Sequence, residues 1–201
     1  MDDPRSRTGQ PLAMGTMPRI LVVYHSRTGF TQTVARQIAR GCGADLERIV
    51  DAAGHERPGD WRCTLNAILG RGTGIAPSRH APGDYDLVVV GTPVWCWRVA
   101  APVRSWLQRH RDELRRLAFF CTQNGAGQDR VFRDMKRLCG RAPEHTLAVR
   151  DRDIIRRAHR SAVRAFVTAL QQPPGLLRNH RRRRLAALGG GGPSVFQEQA
   201  D

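Results

Sequence analysis

Lysine is almost missing from this 201-residue chain: Lys136 is the only one, and every other basic residue is arginine. No apolar run approaches the roughly 20 residues that a membrane helix needs. The opening stretch, MDDPRSRTGQPLAMGTMPR, has no apolar segment of the kind a secretory signal carries. It reads as a disordered N-terminal extension over residues 1–18, with Met17 as an alternative start. The five cysteines (Cys42, Cys63, Cys96, Cys121 and Cys139) form no CxxC pair and are odd in number. This argues against a zinc site and a disulfide framework, and a reducing, cytoplasmic setting is the expectation. Neither GxxxxGK[ST] nor GxGxxG occurs, so the chain has no Walker loop and no dinucleotide fingerprint. An aromatic RNA-binding signature and internal repeats are also missing.

What is present is positive charge, +15 over the chain. The tail from Pro173 to Asp201 accounts for +3 and residues 1–18 cancel, leaving +12 on the globular part. Such a surface favours acidic partners. The tail, with Arg181–Arg184 and Gly189–Gly192, reads as disordered and Arg/Gly-rich, and any nucleic-acid binding is expected to be non-specific and confined to it.

Between these ends, apolar strands alternate with helical spacing. Ile20–Tyr24, Leu87–Gly91 and Leu117–Cys121 are continuous apolar runs, short enough for strands buried on both faces. Ala44–Val50 reads as a weaker edge strand, with Leu46, Ile49 and Val50 as its apolar positions, and Thr146–Val149 as a short one. Val34–Ala39, Trp61–Leu69, Val99–Leu107 and Val131–Leu138 have helical spacing. Asp153–Gln171 is the clearest amphipathic helix. This alternation predicts a three-layer α/β/α sandwich around a five-stranded parallel sheet, over about residues 19–172.

Three strands run into unusual loops. Ser26-Arg27-Thr28-Gly29-Phe30-Thr31 joins a strand to a helix and offers three hydroxyls, a glycine and an arginine where helix N–H groups converge. It suits a phosphate, and it equally suits an ordinary turn with Ser or Thr as N-cap. Thr92-Pro93-Val94-Trp95-Cys96-Trp97 offers flat aromatics, which core packing would also explain. Thr122-Gln123-Asn124-Gly125-Ala126-Gly127 offers backbone donors among small residues. In an open parallel sheet, ligands bind beyond the carboxyl ends of the strands. Three such loops there suit a ligand with a phosphate at one end and a planar ring at the other. No acid–base pair and no metal cluster stands out. Cys96 reads as space-filling, and His25 as either a strand-end filler or a neighbour of the ring.

These three loops resemble those of the flavodoxin family, over about Arg19 to Gln171. The resemblance implies strand order 2-1-3-4-5 and bound FMN. Ser26, Thr28 and Thr31, with the N–H groups of Arg27 to Thr31, would hold the phosphate. Trp95 or Trp97 would lie against the isoalloxazine, and backbone groups of Thr122 to Gly127 would bond its pyrimidine edge. It further implies redox function, as an oxidoreductase or an electron carrier. Electrons or hydride would pass from a reduced donor such as NAD(P)H to a partner protein or a small quinone. Three departures stand out: Phe30 replaces the Asn of many members, the third loop has no Tyr, and the positive charge differs from the acidic surface of classical electron-carrying flavodoxins. A flavodoxin-fold interaction module without FMN and a basic nucleic-acid-binding protein are the alternative readings.

Overall fold

The structure, a computed structural model, describes residues 18–52 and 73–172. The helix expected at Trp61–Leu69, Cys63, the extension before Pro18 and the tail from Pro173 lie outside the described residues. The chain divides into two units, Met1–Gln171 and Gln172–Asp201, and the sheet with its helices belongs to the first.

Strand β1 (Ile20–Tyr24) is buried along its whole length, as a central parallel strand must be. Helix α1 (Phe30–Cys42) returns from its carboxyl end, burying Thr31, Val34, Ala35, Ile38 and Ala39 along one face. It stops at Gly43, which takes the left-handed conformation (φ 63°) that glycine adopts without a Cβ penalty. Strand β2 (Asp45–Arg48) and strand β3 (Leu87–Trp95) flank β1 in parallel. A two-residue strand, β4 (Arg98–Val99), is added antiparallel to the end of β3. Strand β5 (Leu117–Gln123) pairs with β3, and β6 (His145–Arg150) with β5, again in parallel. The parallel order is therefore β2-β1-β3-β5-β6, which is the expected 2-1-3-4-5 among the five parallel strands.

Alternate residues of the central strands feed two cores. On one face Leu21, Val23, Val88, Val90 and Phe119 meet Val103, Trp106 and Leu107 of α2 (Ala101–His110) and Val131 and Met135 of α3 (Gln128–Cys139). On the other, Val22, Val89 and Phe120 meet Val34 and Ile38 of α1, and three residues from the last helix of the domain, Val163, Phe166 and Leu170. Gly91 lets the sheet close over Phe120: a Cβ there would lie 2.0 Å from the ring.

Three local expectations are corrected. The stretch Asp153–Gln171 is two helices, α4 (Asp151–Ile155) and α5 (Arg160–Leu170), separated by a turn with Arg157 at φ 58°. Apolar spacing runs across this break and hides it, and Ile155, one of those apolar positions, is 69% exposed. In β2, Leu46 faces solvent, and the buried positions here are Glu47 and, just past the strand, Ile49. The Glu47 carboxylate is bonded there, accepting the N–H groups of Arg79 (3.1 Å) and His80 (3.0 Å). Finally, Thr92–Trp97 is a strand end and a hairpin turn, not a loop: β3 continues to Trp95 and doubles back into β4 through Cys96 and Trp97.

Candidate functional site

The carboxyl ends of β1, β3 and β5 lie side by side, and each carries one of the three singled-out stretches. In the first, Gly29 is the N-cap of α1 at φ 89°, and no side chain caps the helix. The ordinary reading of this turn, with Ser or Thr as the cap, is thereby overturned. Ser26 Oγ instead accepts the Gly29 N–H (3.1 Å), and Thr33 Oγ1 donates to the Gly29 carbonyl (2.9 Å), closing the turn on itself. The first-turn N–H groups of Phe30, Thr31 and Gln32 have no carbonyl one turn back to bond. No acidic residue sits in that turn, so the positive end of the helix dipole is left uncompensated. Thr28 is exposed, and Arg27 partly so.

The hydroxyls divide in role. Thr31 is buried, and its Oγ1 lies 2.8 Å from Thr122 Oγ1, which ties the first stretch to the third. Thr92 is also buried: its hydroxyl donates to the Pro93 carbonyl and accepts the Ala100 N–H, fixing the base of the hairpin. Phe30 packs against the core on the α1 side.

The two tryptophans separate as well. Trp95 is partly buried and faces the first stretch. The Arg27 guanidinium lies 5.6 Å from its ring centre, and the His25 ring meets it edge-on at 5.6 Å. His25 is a buried strand-end residue with Nδ1 3.1 Å from the Ile49 carbonyl oxygen. Trp97 is 59% exposed. Both turn residues have positive φ, 48° for Cys96 and 58° for Trp97, the backbone of a two-residue hairpin that usually takes Asn or Gly. Two side chains that hairpin propensity disfavours are thus presented at the tip. Opposite Trp97 stands Gly127, the N-cap of α3 at φ 119°, where a Cβ would lie 2.5 Å from Trp97 Cδ1.

Two cavities meet at this hairpin. One, of about 250 Å³, is bounded by Arg27, Thr28 and Pro93–Cys96. The other, of about 520 Å³, is bounded by Val94, Cys96, Trp97 and Gln123–Ala126. Gln123 is buried, and its Nε2 donates to Gln128 Oε1 (2.6 Å), while its Oε1 has no protein partner. A buried acceptor without a donor is costly, and this one belongs to a residue of the larger cavity's wall. Among the described cysteines, burial pushes the Cys121 thiol up to about 12 and the Cys42 thiol to about 11, whereas Cys96 is exposed at the tip. No group of His, Cys, Asp and Glu among the described residues is arranged to hold a metal ion.

Residues 19–149 match a family model described as Flavodoxin. Solved structures show the same fold. A flavoprotein from Lactobacillus acidophilus NCFM, crystallised in complex with FMN, superposes with a TM-score of 0.57 at 19% identity, over 69% of this chain and 97% of that one. A Bacteroides eggerthii DSM 20697 protein, itself only assigned as a flavoprotein, superposes at 0.60 and 19% identity, over 78% and 99%.

Proposed function

The chain belongs to the Flavodoxin family, and on this geometry we propose that it binds FMN and passes electrons or hydride between a reduced donor and a partner protein or small quinone. The observation that carries this reading is the convergence of an uncapped helix N-terminus and an aromatic-walled cavity at one end of the sheet. The residues fit the cofactor. The N–H groups at the start of α1, Thr28 and Ser26 hold the phosphate, and Arg27 adds charge. Thr31 supports the turn from behind through Thr122. Trp97 is the aromatic free to lie against the isoalloxazine, since Trp95 is already engaged by Arg27 and His25. The orphaned end of Gln123 supplies a hydrogen-bonding partner for the ring's polar edge.

Bound flavin would supply the redox chemistry; the protein binds, orients and tunes it. In this chain tuning falls to Trp97 stacking and to Gln123 and the turn Asn124–Gly127. The alternative without FMN depends on Phe30, and the Phe30 ring is partly buried against the core and bounds neither cavity. A cytoplasmic setting is part of the proposal. No helix among the described residues is long and apolar enough to cross a membrane.

The test is the visible spectrum of the purified protein, with FMN fluorescence followed on titration. Flavin absorption bands that bleach on adding NADPH or dithionite are expected. A colourless protein that leaves FMN fluorescence unquenched would overturn the proposal.

A further inference from the structure

A second constellation lies beside the edge strand β2. Helix α2 starts beside the hairpin and runs back, so its last residue, His110, sits toward the amino ends of the strands. There His110 Nδ1 is 2.9 Å from Glu113 Oε1, and His110 Nε2 is 3.1 Å from Ser78 Oγ. The Ser78 hydroxyl also accepts the indole N–H of Trp106 at 3.1 Å, and the Trp106 and His110 rings pack with centres 4.8 Å apart. With neutral imidazole, one proton arrangement satisfies every partner. Nδ1–H donates to the Glu113 carboxylate, which leaves Nε2 as an acceptor for the Ser78 O–H. That is the hydroxyl–imidazole–carboxylate order of an activated serine, a pattern recognised by geometry and not by sequence position.

Ser78 is held in place from the other side. Arg79 and His80, the next two residues, are pinned to β2 by the buried Glu47 carboxylate. Ser78 also opens onto a cavity of about 330 Å³, whose wall includes Leu46, Ile49, Pro77 and Trp106, with Arg48 and Arg79. We propose that Ser78, His110 and Glu113 form an esterase-type site that accepts the acyl group of small, largely apolar esters.

Ser78 Oγ attacks the ester carbonyl as its proton passes to His110 Nε2. His110 returns that proton to the departing alcohol oxygen, leaving acyl-Ser78. Water, with His110 as base, then releases the acid and restores the serine. Arg79, in the cavity wall beside Ser78, supplies positive charge toward the oxygen that becomes negative in each step. Ser78 and His110 are the catalytic residues, and Glu113 is a positioning residue that fixes the tautomer. This chemistry is independent of flavin binding.

The experiment treats the full-length protein, as purified, with a fluorophosphonate probe and locates the adduct by peptide mass spectrometry. Labelling at Ser78 is expected in the native protein and not after unfolding in urea, a contrast that needs no variant. His110→Gln should slow labelling by at least about 100-fold, the scale of a lost general base. Glu113→Gln should slow it, while Glu113→Asp should restore most of the rate, a rescue that a space-filling role would not produce. No adduct at Ser78 in native protein, equal labelling of native and unfolded chains, or wild-type rates in a folded His110→Gln protein would each overturn the proposal.

Discussion

Helices α1 and α3 begin alike and meet different surroundings. Each follows a buried central strand, starts at a left-handed glycine and has no side-chain cap. At Gly29 a Cβ would meet nothing within 4 Å, and the first turn of α1 contains no acid. At Gly127 a Cβ would strike Trp97, and the first turn of α3 contains Asp129. The same backbone device therefore does two things. At α1 it leaves a positive, open pole that favours an anion. At α3 the pole is compensated by a carboxylate and the glycine is a seat for an aromatic ring. Charge and neighbours, not the turn itself, decide which.

The largest effect should come from removing the seat. Gly127→Ala combines backbone strain of roughly 1–3 kcal/mol with overpacking of similar size. We expect a loss of about 2–6 kcal/mol in urea denaturation, with weakened FMN binding as Trp97 is displaced. Near-wild-type stability would mean that Trp97 does not rest there, and the contrast between the two helices would collapse.

Next comes Thr28→Ala. A hydrogen bond to a charged group is worth about 1.5–3 kcal/mol, so FMN affinity should fall about ten- to a hundredfold in a fluorescence titration. Riboflavin, which lacks the phosphate, should bind both proteins equally. An equal loss for both flavins would move the phosphate away from α1.

A smaller effect is expected at Gly29→Ala, where strain acts without a clash. The left-handed conformation costs a residue with a Cβ about 1–2 kcal/mol, so thermal stability should drop less than for Gly127→Ala. A reversed order would show that space, not φ, limits the first turn.

How much of this was legible in the sequence depends on the range of each interaction. Ile20–Tyr24, Leu87–Gly91 and Leu117–Cys121 announce buried parallel strands because burial on both faces leaves no room for polar residues. The three stretches proposed to hold the cofactor were legible because they interrupt that pattern at one end of the sheet. The hairpin was not, since Cys96 and Trp97 carry none of the Asn-Gly chemistry that marks a tight turn. The break at Arg157 was hidden by apolar residues spaced across it. Glu47 is buried because N–H groups more than thirty residues away meet its carboxylate, a satisfaction no local pattern records. For the same reason Ser78 and His110, 32 residues apart, gave no signal at all.

The smallest effects test the charge contrast directly, by exchanging it between the helices. Asp129→Asn removes the carboxylate from the first turn of α3 and should cost about 0.3–1 kcal/mol, fading as salt is added. Gln32→Asp places one in the first turn of α1. Through the same helix dipole it should stabilise the FMN-free protein by a comparable amount. It should also weaken FMN, because the new carboxylate competes with the phosphate for the same N–H groups and repels it. The two readouts must therefore move in opposite directions for Gln32→Asp, whereas Asp129→Asn should change stability and leave FMN affinity nearly untouched. If Gln32→Asp raises stability and leaves FMN affinity unchanged, the pole of α1 is merely uncompensated, and the anion is held elsewhere.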